Sequence, residues 1–135
     1  MADTFTLSLL TPNREVFSGE VSTVVASGHD GDFGVLPGHV AYITSVQPGA
    51  LVIDAAGGKQ VYAIGHGFAQ VAATKVSVIV SSAEDASTLD RSEASAALQT
   101  AENALLEYGP SDAEYKDAVI DQEMALGRLR ALDAR

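Results

Sequence analysis

The sequence changes character within one stretch, Val76-Ser77-Val78-Ile79-Val80-Ser81-Ser82-Ala83-Glu84-Asp85-Ala86-Ser87-Thr88-Leu89-Asp90-Arg91-Ser92-Glu93-Ala94. Its opening residues are β-branched and apolar with a polar interruption, the pattern of a strand. Past Glu84-Asp85 the β-branched residues thin out, and Ala, Leu and Glu recur every three or four positions, which is the period of a helix with one apolar face. Strands gathered on one side and helices on the other indicate an α+β chain with segregated parts. Two units follow, 1–85 and 86–135.

Upstream, short apolar runs are separated by Gly, Pro and Asp at intervals that suit a sandwich or barrel. The runs are Phe5 to Leu10, Val21 to Ala26, Val40 to Val46, Leu51 to Ile53, Val61 to Ile64, Phe68 to Ala72 and Val76 to Val80. Pro12, Pro37 and Pro48 are expected in the gaps. Ala55-Ala56-Gly57-Gly58-Lys59 and Ala73-Thr74-Lys75 read as hairpin connections, because Gly or a small polar residue lets the chain reverse within a few residues.

Downstream, Ala94, Ala97, Leu98, Ala101, Ala104, Leu105 and Tyr108 form one helical stripe, and Gly109-Pro110 ends it. Ser111 and Glu114 have the spacing of a capping box for a second helix. Its stripe is Tyr115, Ala118, Val119, Gln122, Leu126, Leu129 and Leu132. So short a connection makes the pair an antiparallel hairpin. Alanine dominates its apolar contacts, and a buried methyl contributes only about 0.8 kcal/mol against about 1.5–3 for a buried Leu. A weakly docked hairpin, able to leave the β unit, is the expectation.

The charge balance narrows the functions. In 135 residues, 18 Asp+Glu face 8 Lys+Arg, a net charge of -10, which argues against partners gripped through phosphates, nucleic acid above all. Each part contributes -5, but Arg128, Arg130 and Arg135 gather near the end, where cations also offset a helix dipole. There is no cysteine, hence no disulfide framework and no thiolate nucleophile or ligand. No apolar run approaches the ~20 residues that span a bilayer, and the acidic start lacks the pattern of a signal or transit peptide. An intracellular address in a bacterium, without membrane insertion, is the expectation.

Several chemical signatures are incomplete. Gly57-Gly58-Lys59 resembles the end of a phosphate-binding loop, but Ile53 and Gln60 stand where that loop needs Gly and Ser or Thr. His29-Asp30-Gly31-Asp32-Phe33-Gly34 has two carboxylates at calcium-loop spacing, yet Gly34, Val35 and Ala41 replace the residues that loop requires. His29, His39 and His66 form no sequence-local metal pair, and no Gly-x-Ser-x-Gly elbow is present. No metal site and no catalytic residue are expected. What remains is Gly31 to Thr44, in which Gly31, Gly34, Pro37 and Gly38 predict a loop of fixed shape carrying Asp32 and His39.

Gly31-Asp32-Phe33-Gly34-Val35-Leu36-Pro37-Gly38-His39 is similar to the Gly-Glu-Leu-Gly-x-x-Pro-Gly-His of the epsilon-subunit family of bacterial F-type ATP synthases, equivalent to the mitochondrial delta subunit. Pro48-Gly49, Gly65-His66-Gly67-Phe68-Ala69-Gln70-Val71 and Leu89-Asp90 extend the resemblance over nearly the whole chain. Ala41 and His66 depart from it, standing where proline and glycine are usual. The resemblance implies an N-terminal antiparallel β-sandwich of about ten strands and a C-terminal helical hairpin. It implies a non-catalytic central-stalk subunit that couples the gamma subunit to the c-ring and restrains ATP hydrolysis through its hairpin. The complex would place it peripherally on the cytoplasmic face of the bacterial inner membrane.

By position, the resemblance assigns Asp32 and Phe33 to the c-ring loops and His39 and Tyr42 to gamma. Asp90, Arg128 and Arg130 belong to the regulatory hairpin, whose basic residues meet the catalytic alpha/beta head when it extends. Some family members bind ATP on the hairpin. Here Glu93 stands in place of an arginine and Met124 in place of another, so no cofactor is expected and ATP binding is weak or absent. Asp90 with Glu93 also reads as an ordinary helix cap. Two other classes compete with this one: a free-standing cupin-type domain binding a small molecule or metal, which calls for clustered His and Glu on facing strands, and a scaffold whose hairpin recruits another helix.

Overall fold

The computed structural model describes residues 4–28, 31–38 and 41–135. Among these, nine strands precede two helices: β1 (Phe5–Leu10), β2 (Glu15–Val21), β3 (Thr23–Gly28), β4 (Gly31–Val35), β5 (Tyr42–Ala55), β6 (Gly58–Ile64), β7 (Gly67–Val71), β8 (Lys75–Val80), β9 (Ala83–Asp85), α1 (Arg91–Glu107) and α2 (Ala113–Ala134). The strand path runs β2-β1-β8-β7-β5-β3-β4, with β6 on β5 and β9 on β6. All pairings are antiparallel except β1 with β8.

The longest strand belongs to both layers. Tyr42 to Val46 of β5 pair with β7, whereas Gly49 to Ala55 pair with β6. The exchange of partners falls at Gln47-Pro48. Proline cannot donate to a ladder, so it fits where one pairing ends and the next begins. Pro48 therefore lies inside a strand and not in a gap, correcting the expectation from the sequence. Between the layers, Phe5, Leu7, Leu9, Val76 and Val78 meet Val24, Leu51, Ile53 and Ile64 in one buried core.

Burial explains which strands were legible. On β7, Ala69 and Val71 are buried while Phe68 and Gln70 are exposed, the alternation of a sheet with one open face. On β6, Val61, Tyr62, Ala63 and Ile64 are all buried, because Tyr62 and Ile64 enter the sandwich and Val61 and Ala63 lie under the helices. Burial, then the Asp85 carboxylate, pushes the Tyr62 phenol above its ordinary value, against an opposing pull from Arg14. At the sheet edge Glu20 accepts hydroxyls from Thr6 at 2.6 Å and Thr4 at 2.8 Å, bonds that hold its carboxyl below the usual range.

Three local expectations are corrected. Gly31 to Val35 form an edge strand on β3, not a loop, with Asp32 opposite Ser27 and Phe33 opposite Ala26. Glycine suits the bend into it, since Gly31 has φ 115°. At the second helix Asp112, not Ser111, is the N-cap, and it makes no side-chain cap bond; its carboxylate instead accepts from the Gly109 N–H at 2.8 Å. Gly109 is not among the glycines with positive φ, so α1 ends without a left-handed glycine. The two hairpin turns hold as read: Ala55 pairs with Gly58, and Val71 with Val76.

Candidate functional site

The sandwich has two outer faces, and the chain covers one of them itself. α2 lies over β5 and β6, where Ala131 joins Val61, Ala63 and Ala86 in a second small core. The first helix follows its expected stripe, with Ala94 and Ala101 buried and Ala97, Leu98, Ala104 and Leu105 half-buried. The second does so only in part: Ala118 is buried as expected, but Ala125, Gly127 and Ala131 off the stripe are the other buried positions, while Leu126, Leu129 and Leu132 are only half-buried. Small residues let α2 approach both α1 and the sheet closely, and the leucines occupy the flanks.

Polar contacts ring this docked face. Arg128 Nε donates to Glu84 Oε1 at 2.9 Å, Arg130 Nη1 to the Pro48 carbonyl at 3.3 Å, and His66 Nε2 lies 2.7 Å from Glu123 Oε2. Arg91 pairs with Asp133 at 2.7 Å, closing the start of α1 onto the end of α2. These pairs are partly or largely exposed, so each contributes about 0.2–1 kcal/mol. Arg128, Arg130 and Arg135 thus form no single basic patch. Arg128 faces Glu84, Arg130 faces the β5 backbone, and Arg135 lies beside Lys59 and Ser87.

Asp90 is the N-cap of α1, its Oδ1 accepting from the Glu93 N–H at 3.1 Å, as its spacing predicts. The cleft beside it is lined by Glu84, Asp90, Glu93 and Arg128, three carboxylates around one guanidinium that already has a partner. That lining repels a triphosphate. Among the described residues, no three His, Asp or Glu side chains gather as metal ligands.

Among the described residues, nothing of the chain covers the other outer face. Phe68 stands opposite Ile79, and Ile79 beside Leu10, on the outward side of β7, β8 and β1. Phe68 is 43% exposed and Ile43, on the same side of β5, is 69% exposed. Tyr42 pairs with the buried Val71, which puts it on the core side at the rim, where it remains 39% exposed. Asp32 is exposed at the sheet edge, and Phe33 is half-buried against the core. His39 lies outside the described residues. The sequence reading missed Ile43, Phe68 and Ile79 as a surface, though strand alternation around Ala69 and Val78 places all three outward.

The β part, residues 4–86, matches the family model described as ATP synthase, Delta/Epsilon chain, beta-sandwich domain. The chain belongs to this family. Across its full length it is 40% identical to the ATP synthase epsilon chain of Geotalea uraniireducens, covering 99% of that relative. It is 37% identical to the epsilon chain of Synechococcus sp. strain WH7803 over 93% of this chain and 94% of the relative. Among solved structures, a chain of the Euglena gracilis mitochondrial ATP synthase (OSCP/F1/c-ring) superposes with a TM-score of 0.83 at 25% identity, over 96% of this chain and 81% of that one. A chain of the Tetrahymena thermophila central stalk and c-ring shares the fold, with a TM-score of 0.59 at 18% identity. No helix among the described residues is long and apolar enough to cross a membrane.

A hairpin held by small side chains and exposed ion pairs opens more readily than the sandwich core. Hydrogen exchange should therefore show protection across Ala94–Leu105 about ten-fold or more below that of Val76–Val80; equal protection would refute weak docking.

Proposed function

We propose that the chain is the epsilon subunit of an F-type ATP synthase, a non-catalytic part of the central stalk. The sandwich of residues 1–85 couples the gamma subunit to the c-ring, and the hairpin of residues 86–135 restrains ATP hydrolysis. The observation that carries this reading is the match to epsilon chains along both parts of the molecule. It displaces the cupin-type alternative, which has no place for the hairpin.

The two outer faces suit the two tasks. The face bearing Ile43, Phe68 and Ile79 has no cover among the described residues and takes gamma, since an apolar band of this kind marks a protein interface. Tyr42, at the rim of the same layer, belongs to that contact, together with His39. Asp32 and Phe33 on the β4 edge meet the polar loops of the c-ring, where the carboxylate pairs with a cationic side chain. The hairpin covers the opposite face and is free to exchange that surface for the alpha/beta head, carrying Arg128 and Arg130 with it. The subunit sits peripherally on the cytoplasmic side of the membrane as part of the complex.

Three measurements test this reading. Phe68→Lys should weaken retention on gamma by about ten-fold or more, as loss of an aromatic anchor does, and undiminished retention would remove that face from the interface. Truncation after Asp85 should speed ATP hydrolysis by the assembled enzyme while proton pumping persists; an unchanged rate would refute inhibition by the hairpin. Calorimetry on the isolated chain should detect no ATP binding in the micromolar range, because Glu84, Asp90 and Glu93 line the cleft.

A further inference from the structure

One stripe of α2 carries Glu123, Gly127 and Arg130, spaced four and three residues apart on a single helix face. Each meets the same corner of the sandwich. Arg130 reaches the Pro48 carbonyl and Glu123 reaches His66, while Gly127 lies directly on the backbone between them. A Cβ added to Gly127 would stand 2.9 Å from the Gly49 nitrogen, 3.3 Å from the Pro48 carbonyl carbon and 3.4 Å from the Gly49 Cα. All three are backbone atoms and cannot swing aside as a side chain would. Gly49 is equally confined on its far side, where its own Cβ would run into the Ser27 side chain. Gly49 also pairs with Ile64, immediately before Gly65-His66, so the strand kink and the β6–β7 turn form one seat.

We propose that Gly127 is the latch of the hairpin: docking requires the helix backbone to rest on the Pro48–Gly49 kink with no side chain between them. Glycine in a helix interior is less favourable than alanine, and only the docked state offsets that. A side chain at this position lifts α2 off the sheet, separating Ala131 from Val61 and Ala63 and Arg128 from Glu84. The flanking contacts, the His66–Glu123 pair and the Arg130 hydrogen bond to the Pro48 carbonyl, set orientation and add little. This inference concerns docking; that docking governs hydrolysis rests on the function proposed above.

Helix propensity and the latch predict opposite outcomes for one substitution. Gly127→Ala strengthens α2 as a helix but removes its seat. In the full-length variant, hydrogen exchange across α1 and α2 should rise about ten-fold or more over the wild-type chain while β8 stays protected and circular dichroism shows undiminished helix. His66→Ala and Arg130→Met should each raise exchange only about two- to five-fold. Wild-type or greater hairpin protection in Gly127→Ala overturns the proposal, as does loss of β8 protection, which would make the glycine a requirement of the whole fold. Hydrolysis by the complex is read separately. An undocked hairpin with an unchanged rate leaves the latch standing and overturns the regulatory reading.

Discussion

The structure depends on a strand that cannot finish in the layer where it begins. β5 enters paired to β7 and leaves paired to β6, and the exchange between the two pairings falls at Gln47-Pro48, just before Gly49. The proline gives up a ladder hydrogen bond where no ladder continues. The glycine leaves room for Ser27 on one side and for a helix on the other. Core, hairpin seat and exposed face are all fixed relative to this kink, since β5 contributes Val46, Leu51 and Ile53 to the first, Ala50 and Val52 to the second and Ile43 to the third.

That geometry separates two kinds of adhesion. The sandwich is joined by large side chains, Phe5, Leu7, Leu9, Leu51 and Ile53, removed from water almost entirely. The hairpin is joined by alanines and a glycine with charged residues around them. Burial of methyl groups contributes much less than burial of whole aliphatic side chains, so the hairpin is held less firmly than the two layers of the sandwich hold each other. The same economy of side chains that weakens the hairpin's hold lets it come close enough to bury Val61 and Ala63 of β6.

Much of this was legible in the sequence because periodicity follows burial. The α1 stripe could be read from Ala94 to Leu105, and β1 and β8 from their alternation. β2 was missed, because Glu15, Ser18, Gly19 and Glu20 dilute its apolar residues at an edge of the sheet. β4 read as a loop, since two glycines and an aspartate carry poor strand propensity that pairing with β3 overrides. β5 read as two strands because proline usually interrupts one. The capping box failed where Asp112 found the Gly109 N–H first. The site was harder. Asp90 as a cap was visible locally, but Arg128 with Glu84 and His66 with Glu123 join residues far apart in the chain. A glycine inside a helix pattern signals close packing, though not which backbone lies beneath it.

Over its last four residues, Val61, Tyr62, Ala63 and Ile64, β6 has neither face open to water. One side faces the sandwich in every state of the molecule, but the other is dry only while α2 stays in place. Were the helices to depart, Val61, Ala63, Ala50 and Val52 would be wetted together as a second apolar strip. The molecule would then present apolar surface on two opposite sides at once. Docking of the hairpin hides one of these sides and leaves the face of Ile43 and Phe68 for another molecule to shield.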